Sequence, residues 1–265
     1  MDPVLRDLLD RVVAIAHQAG SAILAVADTA AARCKDDGSP VTEADEAAEA
    51  VILPALAAAA PGIAIVSEEQ AAATGIPAVP AGRFWLVDPL DGTKEFIRRS
   101  GEYTVNIALI EDGRPILGVV HAPALGLTYA GCAGSAMVLR QGEPARAIRA
   151  RTPGAEGLVV VRSREHGDPD ATARFLGGRR IAAERAIGSS LKLCLVAAGE
   201  ADLYPRFGRT MEWDTAAGDA VVRAAGGRVE DLEGRPLAYG KPGFDNPSFV
   251  VSGLAVGEAT TLPVG

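Results

Sequence analysis

Apolar residues recur at helical spacing near the start of the chain, and this pattern predicts a first helix over residues 4–27. Thr42, with Asp45 three residues later, has the spacing of a capping box and predicts a second helix that runs to about Leu56. Short apolar runs predict strands over 63–66 and 84–87, and the polar or Pro- and Gly-rich segments between them predict loops over 33–40 and 70–82.

The rest of the chain alternates between strand and helix patterns. The sequence E-D-G-R-P lies between two apolar runs and predicts a β-hairpin. Residues 140–157 are rich in Arg, Gly and Pro and are interpreted as a connection between two intimate lobes, 1–150 and 151–265. The predicted strands are 103–110, 116–121, 127–130, 135–139, 158–162, 180–184, 201–204 and 248–252, and the predicted helices are 169–177, 189–199 and 214–226. This alternation predicts an α/β or α+β protein with layered sheets.

The composition is typical of a globular protein, with 48% apolar and 23% charged residues. A net charge of −8 disfavours binding to nucleic acids or anionic membranes, so an anionic substrate requires a local reversal of the electrostatic field. The scattered cysteines favour a reducing compartment, and the scattered histidines argue against a zinc site. The acidic N-terminus does not fit a signal peptide, and prolines interrupt the uncharged stretch 50–67, so no transmembrane segment is expected.

Acidic residues are concentrated where the predicted strands end or the predicted helices begin. The residues in such positions are Asp45, Glu68, Glu69, Asp88, Asp91 and Asp214. Because buried strands deliver their ends to a common edge of a sheet, we expect these side chains to converge. Converging carboxylates repel one another and cannot all stay ionised without a cation. Oxygen donors without His or Cys favour a hard ion, Mg²⁺ or Mn²⁺.

The segment D-P-L-D-G-T after the strand 84–87 is the strongest of these signals. Pro89 restricts the backbone and predicts a rigid turn, so that Asp88 and Asp91 can point to the same side. The carbonyl of Leu90 lies between them and is available as another ligand. This spacing is typical of a metal site.

The same segment also predicts a phosphate site. Gly92 lets the backbone approach an anion closely, and Thr93 begins a predicted short helix over 94–98. The first amides of such a helix are donors for phosphate. One segment therefore supplies both metal ligands and phosphate donors.

Four of these six acids also have a purely structural explanation. Glu68 and Glu69 fit a solvated loop, Asp45 fits the acid of a capping box, and Asp214 fits an acid favoured by the helix dipole. The occurrence of all of them at strand ends and helix starts favours the functional interpretation.

The motifs together identify a resemblance. The segments 39–45, 67–69, 87–97 and 213–218 resemble the signature segments of the inositol monophosphatase superfamily, from about residue 4 to residue 252. This family consists of Mg²⁺-dependent, lithium-sensitive phosphatases with a layered αβαβα sandwich fold. The segments 188–192 and 203–207 look more specifically like the CysQ type, the 3′(2′),5′-bisphosphate nucleotidases.

The resemblance implies a role for each matching residue. The implied ligands of two or three Mg²⁺ ions, for which Mn²⁺ can substitute, are Glu68, Asp88, Asp91, Asp214 and the main-chain carbonyl of Leu90. The implied catalytic residues are Thr93 and Asp45, which orient and deprotonate the attacking water, and Glu69, the second glutamate of the segment 67–69, as a supporting group. The implied substrate-binding residues are Gly92 and Thr93, whose amides hold the phosphate, and Ser189, Lys192 and Arg206, which hold the nucleotide.

These roles predict hydrolysis of the 3′-phosphate of adenosine 3′,5′-bisphosphate to give AMP and phosphate, in recycling a by-product of sulfate assimilation. An inositol or sugar-phosphate phosphatase with the same metal site is the alternative enzyme. A metal-dependent anion-binding or structural homologue is the alternative without catalysis. Without the resemblance, Lys192 fits a solvated lysine and Arg206 an interstrand arginine. We expect a cytoplasmic protein; the resemblance allows a homodimer and a peripheral association with the inner membrane, for which the sequence offers no anchor.

Overall fold

A computed structural model describes residues 3–28, 32–34, 40–164 and 168–254. Residues 35–38 of the predicted loop 33–40, and Ser39 of the segment 39–45, lie outside these residues. Within these ranges the helices are α1 Pro3–Val26, α2 Glu43–Ala59, α3 Glu68–Thr74, α4 Thr93–Ile97, α5 Pro169–Leu176, α6 Leu191–Ala197 and α7 Glu212–Ala224. The strands are β1 Ala32–Cys34, β2 Pro40–Thr42, β3 Ala64–Ser67, β4 Phe84–Asp91, β5 Thr104–Glu111, β6 Arg114–Ala122, β7 Leu127–Cys132, β8 Ser135–Arg140, β9 Arg146–Ile148, β10 Leu158–Ser163, β11 Ile181–Ile187, β12 Leu203–Arg206, β13 Arg228–Asp231 and β14 Phe249–Ser252.

Two large sheets organise the described residues. The first has the order β3-β4-β5-β6-β7-β8-β9, in which only the β3–β4 pair is parallel. The second has the order β11-β10-β12-β14-β13, with parallel pairs on the β11 side and antiparallel pairs on the β13 side. The first sheet ends at Ile148 and the second begins at Leu158. A division into lobes at residue 150 stays a prediction.

The helices and sheets alternate in layers. Helices α1 and α2 cover one face of the first sheet, and α6 and α7 fill the space between the two sheets. Helix α5 packs on the outer face of the second sheet, where Leu176 meets Val160 and Leu203. The expected αβαβα sandwich is confirmed.

Helix α7 approaches the first sheet closely because two glycines face it. Gly118 of β6 and Gly131 of β7 are paired directly across the two strands. A Cβ atom on Gly118 would lie 2.3 Å from the carbonyl oxygen of Ala217, and one on Gly131 would lie 2.8 Å from the Cα atom of Val221. The absence of these side chains sets the depth of α7 and therefore the position of Asp214 at its start.

Helices α1 and α2 begin and pack as the apolar pattern predicts. The buried positions of α1 include Val12, Ala16, Ala19 and Ile23, which lie on one helical stripe facing the sheet. Among the described residues, α1 is the one helix whose length and apolar composition would suffice to cross a membrane, and core helices meet the same criteria. The capping box of α2 is present, because Thr42 N–H donates to Asp45 Oδ2 at 2.7 Å.

The structure corrects the sequence predictions of loops. Residues 70–74 complete α3, because acids in its first turn suit the helix dipole and alanines favour helix. Short strands β1 and β2 pair at the two ends of the predicted loop 33–40. Strand β9 lies inside the predicted connection 140–157 and adds an edge to the first sheet. Helix α2 also continues past Pro54 to Ala59, three residues beyond its predicted end.

Strand β4 is longer than predicted, and this places the site. Pairing with β5 joins Asp88 to Asn106, is interrupted by an irregularity, and resumes between Asp91 and Thr104. The predicted turn at Pro89 is thus a bulge inside a strand that ends at Asp91 rather than the end of the strand.

Candidate active site

Three carboxylates from three different elements meet at one edge of the first sheet. Glu68 begins α3, Asp88 lies in β4 and Asp214 is the third residue of α7. Each offers an oxygen, and these oxygens all lie within 4.8 Å of one another. Asp214 Oδ2 also accepts the Met211 N–H at 2.8 Å, which fixes its side chain at the start of the helix.

The electrostatics of the cluster favour a bound cation. Burial and then repulsion by Glu68, Asp91 and Asp214 raise the pKa of Asp88 well above its ordinary value. Burial, with Asp91 and Glu68 as the next contributors, does the same to the pKa of Asp214. A set of oxygen donors that repel one another in this way fits a hard divalent ion, which would compensate the charge.

Asp91 extends the cluster on the far side of the bulge. Burial raises its pKa to about 6, although Lys192 and the backbone N–H of Ser190 oppose the shift. Asp88 Oδ1 accepts the Leu90 N–H at 3.0 Å, which holds the bulge in shape. Leu90 and Asp91 both line the cavity that contains the acid cluster.

Thr93 and Asp45 form a hydrogen-bonded pair beside this cavity. The Thr93 hydroxyl lies 3.3 Å from Asp45 Oδ1 and 3.4 Å from the Leu90 carbonyl. The other oxygen of Asp45 accepts both the N–H and the hydroxyl of Thr42, at 2.7 and 2.8 Å. Asp45 therefore combines the capping role with a contact to Thr93, so that the structural and functional explanations both apply.

Gly92 connects the acids to helix α4. Its φ of 94° lies in the left-handed region, where a side chain is strained. A Cβ atom there would also lie 3.3 Å from the Glu102 carbonyl oxygen and 3.4 Å from the Cβ of Ser189. Thr93 begins α4, as predicted, and the helix ends at Ile97, one residue before its predicted end.

A basic side faces the acids across the cavity. Lys192 in α6 and Arg206 in β12 are both buried and line it, as does Ser189. Burial lowers the pKa of Lys192 to about 8, with Arg206 adding to the shift and Asp91 opposing it. The Lys192 ammonium donates to the Ser189 carbonyl, and Arg206 donates to the Arg209 carbonyl at 3.0 Å. Neither residue is a solvated surface cation.

The cavity has a volume of about 340 Å³. It brings together most of the residues singled out in the sequence: Glu68, Asp88, Leu90, Asp91, Gly92, Thr93, Ser189, Lys192, Arg206 and Asp214. Asp45 reaches it through Thr93. Glu69 is not among its lining residues, although its charge contributes to the raised pKa of Asp88.

Sequence reasoning missed polar residues that complete the site. Thr104, Asn106 and Ser190 are buried and hydrogen-bonded to one another beside Asp91. The signal for two of them is present in β5, where polar side chains alternate at Thr104 and Asn106 in an otherwise apolar strand. Glu95, Arg209 and Thr210 also line the cavity and carried no sequence prediction.

The fold and this site define a class of protein. The sequence profile described as the Inositol monophosphatase family matches residues 5–256. The chain belongs to the inositol monophosphatase family.

Within that family, the chain is similar in sequence to several proteins named CysQ. The chain is 47% identical over 259 residues to the 3′(2′),5′-bisphosphate nucleotidase CysQ of Shigella flexneri, covering 92% of this chain and 99% of the relative. The Escherichia coli K12 protein of the same name is 46% identical, with the same coverage. Among solved structures, CysQ from Bacteroides thetaiotaomicron is 33% identical with a TM-score of 0.76, covering 94% of this chain and 97% of that chain.

Proposed function

We propose that this protein is a Mg²⁺-dependent phosphatase that removes the 3′-phosphate of adenosine 3′,5′-bisphosphate, giving AMP and phosphate. The observation that carries the proposal is that a carboxylate cluster and two buried basic side chains, Lys192 and Arg206, line one cavity. Identity of 47% to a CysQ bisphosphate nucleotidase supports the same substrate class.

The acid cluster is the proposed metal site. Glu68, Asp88 and Asp214 hold one group of oxygens, and Asp91 with the Leu90 carbonyl extends it on the other side of the bulge. The ions would neutralise phosphate charge and stabilise the attacking and leaving oxygens of an in-line displacement. Two or three Mg²⁺ ions, with Mn²⁺ as a substitute, suit such an all-oxygen site.

Thr93 and Asp45 are the proposed proton acceptors. Because the Thr93 hydroxyl directs its proton to Asp45 Oδ1, its lone pairs are available to a water in the cavity. As the water attacks phosphorus, its proton passes to Thr93 Oγ1 and the Thr93 proton passes to Asp45. Thr42 N–H and O–H keep Asp45 in place during this transfer. Glu69 supports the site through its charge on Asp88 rather than through contact with the cavity.

The backbone and basic residues are the proposed substrate contacts. The amides of Gly92 and Thr93 would hold the phosphate that is cleaved. Lys192, Arg206 and Ser189 would hold the nucleotide and its second phosphate. A monophosphate such as inositol 1-phosphate does not require this second cationic group, so these residues separate the two substrate classes.

Substitution of the basic residues tests the substrate assignment. We expect Lys192→Gln and Arg206→Gln each to raise KM for adenosine 3′,5′-bisphosphate by at least about tenfold, because a charged hydrogen bond contributes about 1.5–3 kcal/mol. Arg180→Gln is the matched control, since Arg180 makes an exposed ion pair with Glu156 away from the cavity.

The same assays decide between the candidate functions. Phosphate release from inositol 1-phosphate but not from the bisphosphate, unaffected by Lys192→Gln, would replace the nucleotidase with an inositol phosphatase. No turnover with either substrate would favour an anion-binding protein, against which the Thr93–Asp45 contact argues. Lithium inhibition is expected in either enzyme as a property of the family.

Location and assembly are part of the proposal. We place the enzyme in the cytoplasm, where its proposed substrate arises, and treat a homodimer and peripheral binding to the inner membrane as predictions from the resemblance. Sedimentation of the purified protein measures its oligomeric state, and fractionation of cells measures its location.

A further inference from the structure

A chain of buried hydrogen bonds connects the acid cluster to the turn at residues 188–190, which carries Ser189 and leads into α6. Thr104 and Asn106 project from β5, and Ser190 comes from a part of the chain 84 residues away from Asn106. The Ser190 hydroxyl is 2.7 Å from Asn106 Oδ1 and 2.9 Å from Thr104 Oγ1. The amide nitrogen of Asn106 is 3.5 Å from Asp91 Oδ2.

The chemistry of the donors and acceptors fixes the direction of every hydrogen bond in this network. An ionised Asp91 only accepts, so the NH₂ group of Asn106 must face it and Oδ1 must face Ser190. The Ser190 hydroxyl has one proton and gives it to Asn106, so the contact with Thr104 receives its proton from Thr104. The Asn106 side chain contacts both the Asp91 carboxylate and the Ser190 hydroxyl.

Burial and strand pairing fix the position of Asn106. Its side chain is fully buried, and it lies directly opposite Asp88 in the β4–β5 pairing. The Ser190 backbone N–H also acts on Asp91, whose pKa it lowers. The Asp91 carboxylate is thus held between β5 of the first sheet and the start of α6.

We propose that Asn106 is a positioning residue that couples the Asp91 carboxylate to the 188–190 turn, so that metal affinity and substrate affinity depend on one shared set of hydrogen bonds. The statement about substrate rests on the proposed function, whereas the statement about metal does not. An apolar side chain at residue 106 would leave Asp91 and the Ser190 hydroxyl each short of one partner in a buried site.

Binding of Mn²⁺ alone, measured by electron paramagnetic resonance of the free ion, tests the coupling. We expect Asn106→Leu and Ser190→Ala to raise the dissociation constant at least about tenfold, which is the usual loss when a residue that orients a metal ligand is removed. Ser190→Thr retains the hydroxyl and should restore binding to within about threefold of the wild type. Thr172→Val is the matched control: the Thr172 hydroxyl donates to the Asp168 carbonyl at the start of α5, away from the cavity, so the constant should stay within about twofold.

Phosphate release from adenosine 3′,5′-bisphosphate supplies the second measurement. In Ser190→Ala we expect KM to rise together with the Mn²⁺ dissociation constant, and in Ser190→Thr both should return. If Asn106→Leu does not fold, as judged by far-ultraviolet circular dichroism, the comparison of Ser190→Ala with Ser190→Thr tests the proposal by itself. Folded Ser190→Ala with wild-type Mn²⁺ affinity overturns the proposal. A wild type that binds Mn²⁺ but releases no phosphate would instead overturn the proposed function, and the Mn²⁺ comparison would still decide the role of Asn106.

Discussion

Replacing Asp91 by asparagine should stabilise the protein when no divalent ion is present. The pKa of Asp91 is raised from 3.8 to about 6, chiefly by burial, with Glu95 and Glu68 adding repulsion. A carboxyl group whose pKa is higher in the folded state than in the unfolded state lowers the unfolding free energy at a pH above that raised pKa. The reason is that the folded state must then hold a charge that its buried site disfavours. The ionised Asp91 carboxylate therefore lowers the unfolding free energy of the wild type by up to about 3 kcal/mol at pH 7 and by about 1.5 kcal/mol at pH 5.

Urea denaturation in EDTA measures this difference, with fluorescence of the buried Trp85 and Trp213 as the signal. We expect Asp91→Asn to exceed the wild type by up to about 3 kcal/mol at pH 7 and by about half of that at pH 5. Excess Mg²⁺ should stabilise the wild type more than the variant and so reduce the gap.

A second buried aspartate provides the control for this experiment. Asp202 accepts two hydrogen bonds from Arg151 and one from the Val159 N–H, so Asp202→Asn should lower the unfolding free energy by about 3 kcal/mol or more. If Asp91→Asn were no more stable than the wild type in EDTA at pH 7, burial and the neighbouring acids would not be destabilising the ionised Asp91 carboxylate, and this argument for a cation at the site would fail.

Three further predictions address the proton transfer, the helix packing and the pH dependence. Thr93→Val should lower kcat at least about 100-fold and Thr93→Ser by less than about tenfold, because only a hydroxyl passes a proton to Asp45; equal rates for the two variants would contradict this. Gly118→Ala should lower the unfolding free energy by at least about 2 kcal/mol in urea, because its Cβ would collide with α7, whereas Gly154→Ala meets open space and should change it by less than about 0.5 kcal/mol; equal effects would refute the packing argument. Burial and neighbouring His17 lower the pKa of His121 to about 4, so its contribution to stability is complete above pH 6.5 and falls as the pH drops towards 4; His121→Asn should flatten this dependence, and an unchanged slope would contradict the assignment.

The acid cluster could be predicted from sequence because its signals are local. Asp88 and Asp91 follow an apolar strand, and Asp214 follows the start of an amphipathic segment, so strand ends and helix starts suffice to place them. The layered fold follows from the same alternation together with the family motifs. Helix α3 was missed because a Pro- and Gly-rich stretch after residue 74 obscured the short alanine-rich helix before it.

The hydrogen-bond chain through Asn106 could not be predicted in the same way. Ser190 meets Asn106 across 84 positions of sequence, and their contact depends on how the two sheets pack around α6 and α7. The bulge in β4 has a similar origin, because pairing resumes at Asp91 only after the register shifts against β5. The depth of α7 depends on two paired glycines whose significance appears only when the helix lies on them. Each of these features is set by tertiary packing rather than by a local pattern.

The most direct test of the central claim is phosphate release from adenosine 3′,5′-bisphosphate as Mg²⁺ is removed and returned. We expect steady release with Mg²⁺, loss of release after treatment with EDTA, recovery on adding Mg²⁺ back, and no recovery in Asp88→Asn. Release that persists in EDTA, or that Asp88→Asn retains at the wild-type rate, would contradict the claim.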